Sequence, residues 1–120
     1  MEEVMRHLES QLQQSLVTLL RMDHRCRNLF AIPNGGLRNI RTAVRLKKEG
    51  VLAGVPDLFL PVARGKFHGL FMELKTDKGT LSPSQKIMGE NLIENGYAVV
   101  VIRNIDEGRL KVAEYLGSKS

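Results

Sequence analysis

Gly54-Val55-Pro56-Asp57-Leu58-Phe59-Leu60 and Leu70-Phe71-Met72-Glu73-Leu74-Lys75 are the two stretches that decide how this chain folds. Both are short apolar runs of strand type, and each carries charge that such a strand buries only at a cost unless a partner is at hand. Side chains alternate along a strand with period two, so Phe71, Glu73 and Lys75 share one face. Between the runs, Ala63-Arg64-Gly65-Lys66 supplies turn residues. If the runs pair as a hairpin, Asp57 and Glu73 lie side by side at one end. Two carboxylates so placed, with an ammonium beside them, suit Mg²⁺ or Mn²⁺ better than a softer metal.

Downstream, Ser82-Pro83-Ser84-Gln85 reads as a helix start, with Ser82 as N-cap, Pro83 in the first turn and Gln85 completing a capping box. Gln85, Met88 and Leu92 share an inward stripe, and Gly96 stops the helix. Ala98-Val99-Val100-Val101-Ile102 is continuous and β-branched, the clearest candidate for a buried strand. It is expected to pair in parallel with 70–75 across the helix, as a right-handed βαβ unit. A last helix is expected over about 106–116.

Upstream, Met5, Leu8, Leu12, Leu16, Leu19 and Leu20 recur at helical spacing over 2–22. At about 100° per residue, Glu9 falls between Leu16 and Leu20, inside the apolar arc, where a carboxylate calls for a cation unless the helix end frays. Asn28 to Ile32 reads as a short strand, stopped by Pro33 and the turn Asn34-Gly35-Gly36. Then come Arg38, Arg41, Arg45, Lys47 and Lys48 with no acid among them; Arg38, Arg41, Arg45 and Lys48 form one helical stripe beside Leu37, Ile40 and Val44. A charged stripe of this kind is either a solvated face or a track for phosphates. The element order α-β-α-β-β-α-β-α predicts an α/β fold with a mixed central sheet flanked by helices.

With 120 residues, one domain over 1–120 is expected, large enough for a core. Eighteen Lys and Arg against thirteen Asp and Glu permit a polyanionic partner without demanding one. The single cysteine, Cys26, cannot form an intrachain disulfide, and no Cys/His cluster has zinc spacing. No apolar run approaches the roughly 20 residues that cross a bilayer. A soluble protein of the cytoplasm, or another reducing intracellular setting, is the simpler expectation. His7, His24 and His68 have no partner at ligand spacing, and Cys26 has no base near it in sequence, so neither residue type is expected to do chemistry. Six aromatics argue against a base-stacking single-strand binder.

Pro56-Asp57, a gap long enough for a hairpin, and Glu73-Leu74-Lys75 together resemble the core of the PD-(D/E)XK nuclease superfamily, whose restriction-endonuclease-like fold matches the element order. The longer series from Pro33-Asn34-Gly35-Gly36 through Gly50-Val51 and Gly54-Val55-Pro56-Asp57 to Glu73-Leu74-Lys75 and Leu81-Ser82-Pro83-Ser84-Gln85 is similar to the VRR-NUC family within it. The resemblance implies that Asp57, Glu73 and the Leu74 carbonyl hold Mg²⁺ or Mn²⁺, with Glu9 at a second metal or a metal-bound water. It implies that Lys75 orients the attacking water and that Gln85 steers water or phosphate. It places Asn34 near the site and tilts Arg38, Arg41, Arg45 and Lys48 towards phosphate contact. The expected products carry a 5′-phosphate and a 3′-hydroxyl.

One small domain has little surface to grip a duplex, so a homodimer whose two-fold would match that of a branched junction is expected, and the resemblance to stand-alone members of the family implies action on Holliday junctions or other branched DNA. Three rivals stand beside it. A flap or repair-type nuclease has the same site. A non-catalytic nucleic-acid-binding module would keep the fold and the basic stripe, although intact Glu9, Asp57, Glu73 and Lys75 speak against it. A hydrolase of small phosphorylated molecules would need a phosphate cradle, for which Gly35-Gly36 is too short.

Overall fold

The computed structural model describes residues 2–33 and 39–117. Helix α1 spans Glu2–Leu20 and is followed by a single 3-10 turn, His24–Cys26, started by the Asp23 carboxylate accepting from the Arg25 backbone N–H at 2.9 Å. Strand β1 is Phe30–Ala31, helix α2 Ile40–Lys48, strand β2 Leu58–Leu60 and strand β3 Leu70–Leu74. Helix α3 covers Pro83–Glu94, strand β4 Ala98–Ile102 and helix α4 Ile105–Leu116. The order is the expected one; the 3-10 turn is additional, and β1 is shorter than 28–32.

The four strands lie in the order β1-β2-β3-β4, antiparallel except for β3 with β4. Strand β3 is therefore central to the hairpin and to the βαβ unit alike. Alternation divides the sheet: Leu58, Leu60, Leu70, Met72, Leu74 and Ile102 are buried in one core with Leu16 and Leu20 of α1 and Val112 and Leu116 of α4. On the opposite face, Phe30, Phe59, Phe71 and Tyr97 form a chain of rings with successive centroids 5.6, 4.3 and 5.3 Å apart, and α3 packs beside β4. Apolar burial on the α1–α4 side is what holds the sheet.

Four sequence expectations need correction. Strand β2 begins at Leu58 rather than Val55, because Pro56 has no N–H to give a ladder and the Asp57 side chain takes over the next bond. Strand β4 has the expected limits but is not buried: it is the last strand of the sheet, one side unpaired, and only Ile102 is fully covered. Lys111 Nζ caps that open edge by donating to the Val101 carbonyl at 2.7 Å. Leu8 is 47% exposed, because the buried stripe of α1 centres on Leu16 and Leu20 and leaves Leu8 at its margin. In α2 nothing is buried, and the expected apolar flank is open, with Ile40 82% and Val44 47% exposed. No helix is long and apolar enough to cross a membrane among the described residues.

Helix α3 starts as the sequence demands, with Ser82 accepting from the Gln85 N–H at 3.2 Å and the Gln85 side chain accepting from the Ser82 N–H at 2.9 Å. Its first turn is pressed against the loop before Asp57. Gly54 has φ +92°, and a Cβ there would lie 2.5 Å from the Ser84 carbonyl oxygen. Backbone conformation and space therefore both require glycine. Gly54→Ala is expected to destabilise the protein by about 2 kcal/mol or more, and Gly65→Ala, with φ +55° but open space, by about 1 kcal/mol. Urea unfolding of the two variants measures the difference.

Candidate active site

The centre of the site is the join between the end of β3 and the loop before β2. The Asp57 N–H donates to the Met72 carbonyl at 3.0 Å, and Asp57 Oδ2 accepts from the Leu74 N–H at 2.7 Å. A side-chain oxygen thus replaces a strand carbonyl, and the carboxylate is fixed against the segment that contains Glu73. A charge-assisted bond of this kind is shorter and stronger than a neutral one.

Glu73 is 5% exposed and is the buried charged residue of the described chain. Its Oε2 accepts from Gln85 Nε2 at 3.1 Å. Gln85 therefore uses its oxygen to cap α3 and its nitrogen to hold the acid. Burial, then the Asp57 charge and a hydrogen bond to Asp57, push the Glu73 carboxyl up to about 9; Lys75 opposes this, and Glu9 adds to it. Lys75 is half-buried, and no ion pair joins it to Glu73 among the described residues.

Glu9 comes to the site from the other side. It projects from α1, on the face of the sheet that carries the core, whereas Glu73 alternates to the α3 face. Glu9, Asp57 and Leu74 line one cleft of about 550 Å³ with Arg6, Ser10, Gln13 and Gln14. A second cleft of about 740 Å³ places Asp57 and Gln85 beside Arg6, Ala43 and Lys47. Asp57 and Arg6 stand where the two meet. Because the acids approach from opposite faces, no group of three His, Cys, Asp or Glu side chains gathers at metal-holding spacing among the described residues.

The donor set nevertheless suits a hard divalent cation. Two adjacent carboxyls, one of them pushed upward by burial and then by its neighbour's charge, would be relieved by a cation placed between them. Asp57 and Glu73 would be its ligands, with the Leu74 backbone at the rim.

The described residues of the expected phosphate stripe do not line the two clefts. Asn34 and Arg38 lie outside the described residues. Arg41, Arg45 and Lys48 are exposed, and Arg45 pairs with Glu49 at 3.2 Å. At about 100° per residue, these three sit on the far side of α2 from Ala43, whose face carries Lys47 into the cleft. Arg6 is a cationic residue that sequence reasoning passed over, and Lys47 one that it named in the basic run but left out of the stripe. The available signals were Arg6 one helical turn before Glu9, and Lys47 four residues after the small Ala43.

The model of the VRR-NUC domain matches residues 2–104. A solved structure of a VRR_NUC domain protein superposes with a TM-score of 0.76 at 29% identity, covering 90% of this chain and 87% of that one. Among curated proteins no relative matches.

The raised acid has a consequence for stability. A carboxyl whose folded pKa of about 9 exceeds its ordinary 4.5 contributes stability that is complete below about pH 4.5 and is lost as pH rises through about 9. In metal-free buffer, Glu73→Gln is expected to leave stability nearly unchanged at pH 4.5 and to raise it by about 1–3 kcal/mol at pH 8. Chemical denaturation at both pH values checks this; a gain independent of pH would contradict the assignment.

Proposed function

The chain belongs to the VRR-NUC domain family, a nuclease-type family whose substrate is nucleic acid, and from that premise we propose that it is a metal-dependent endonuclease of branched DNA. The observation that carries the reading is the buried Glu73 carboxyl beside Asp57, tied down by Gln85, with Lys75 close enough for its charge to act on Glu73 and yet not consumed by an ion pair with it.

Hydrolysis of a phosphodiester needs an activated water and relief of charge on the leaving oxygen; bound Mg²⁺ or Mn²⁺ supplies both. The chain's own residues do the rest. Asp57 is pre-set by the Leu74 N–H and Glu73 by Gln85, so neither carboxylate must reorganise as charge develops. Glu9 offers a further acid from the α1 side of Asp57. Lys75, two residues beyond Glu73 on the same strand face, orients the attacking water and offsets phosphate charge, giving a 5′-phosphate and a 3′-hydroxyl.

Arg6 and Lys47 flank Asp57 along the two clefts, a disposition suited to the phosphates on either side of the scissile one. Arg41, Arg45 and Lys48 would meet more distant phosphates, while the phosphate contact of Arg38 and the place of Asn34 near the site stay as the resemblance implies them. A homodimer with two such sites fits a junction of two-fold symmetry; flap DNA is the alternative substrate. An intracellular, reducing setting belongs to the same proposal and is compatible with Cys26 being buried.

The test is cleavage of a four-way junction, a flap, and linear single- and double-stranded DNA with Mg²⁺, Mn²⁺ or EDTA. Metal-dependent cutting of branched DNA is expected, with Lys75→Ala slower by about 100-fold or more. Folded protein that binds these DNAs and cuts none would replace the enzyme with a binding module. In binding measured without cleavage, Arg6→Ala and Lys47→Ala are each expected to reduce the slope of log K against log salt by about 1.

A further inference from the structure

We propose that Arg103 is a positioning residue for Lys75, acting through the loop that follows it; the inference rests on the nuclease reading above. Arg103 stands just beyond β4. A single guanidinium nitrogen, Nη1, donates to the Thr76 carbonyl at 2.8 Å and the Gly79 carbonyl at 2.7 Å, with the Asp77 carbonyl at 3.5 Å. Its side chain pairs with no carboxylate among the described residues; the nearby Glu107 Oε1 accepts from the Arg103 backbone N–H at 2.8 Å instead. One nitrogen of the guanidinium thus gathers the carbonyls of one turn. Charge-assisted bonds to carbonyl oxygens are the strongest hold available for such a turn.

That turn is what Lys75 leans on. The Lys75 N–H is anchored to the Ile102 carbonyl at 3.0 Å, one residue before Arg103, so strand pairing and the arginine grip are continuous. A Cβ at Gly79 would lie 3.3 Å from Lys75 Cδ, so the lysine stem runs along the Gly79 backbone. The Gly79 N–H closes the turn on the Thr76 carbonyl at 3.0 Å. The turn does not satisfy itself: the Thr76 hydroxyl is buried with no hydrogen-bond partner among the described residues. A burdened hydroxyl favours opening, and the Arg103 bonds oppose it. Releasing Arg103 frees Gly79, and with it the surface that directs the Lys75 ammonium towards Glu73.

Two measurements on the full chain test this. The first is the mobility of Lys75 Cε by ¹³C NMR relaxation, with hydrogen exchange of the 76–79 amides, in wild type and Arg103→Ala, or in Arg103→Gln should the alanine variant not fold. Faster exchange and a more mobile Cε are expected; an unchanged Cε overturns the proposal whether or not the protein cuts DNA. The second is a double-mutant cycle on cleavage of four-way-junction DNA with Mn²⁺. Arg103→Ala is expected to lower kcat by about tenfold to 100-fold with KM within about twofold, and to add less than about twofold in the Lys75→Ala background. Gly79→Ala, which crowds the Lys75 stem directly, should show the same dependence on Lys75. Losses that multiply in full would mean that Arg103 serves the fold alone. If wild type cuts none of the DNAs, the nuclease reading fails, and the mobility measurement alone decides the role of Arg103.

Discussion

The hydrogen bond from the Leu74 N–H to Asp57 Oδ2 is the contact on which the site depends. It joins the loop before β2 to the end of β3 without a ladder, at the point where Pro56 has no N–H to offer. One carboxylate is thereby presented beside Glu73 while the chain leaves the sheet. Gly54 lets the same loop touch the first turn of α3, and that turn delivers Gln85 to Glu73. Capping, loop and acid pair form one connected arrangement. Disturbing any of them moves the others.

Electrostatics explain why the arrangement is under tension. Two carboxyls side by side, one almost wholly buried, raise the cost of ionising the second, and Lys75 does not cancel it by direct pairing. A fold built for stability alone would place an apolar residue at 73, as it does at 70, 72 and 74. Retaining an acid where it destabilises the metal-free protein is what the proposed cation site would require. The clefts on both sides of Asp57, each bordered by Arg6, would give such a cation access to an extended polyanion.

Much of this was legible in the sequence because it rests on local rules. The capping box at Ser82 and Gln85, the stop at Gly96 and the pairing of Leu58–Leu60 with Leu70–Leu74 follow from turn chemistry and period-two alternation. The inward aim of Glu9 follows from its angle between Leu16 and Leu20. What could not be read depends on non-local placement. Strand β4 looks like a buried strand by composition, yet its place at the sheet edge is fixed by which neighbour it finds. The stripe of Arg41, Arg45 and Lys48 is correct as a stripe, but the side of α2 that meets the cleft is set by Ala43 and Lys47. Arg103 has no motif at all; its importance appears only when the carbonyls of the 76–79 turn are traced to their donor.

The most direct test of the central claim is the anomalous difference map of a crystal grown with Mn²⁺. The account predicts a manganese peak between Asp57 and Glu73, with Gln85 still bonded to Glu73. A map with no manganese there, and Lys75 paired directly with Glu73, would show the acid pair to be structural and would contradict the account.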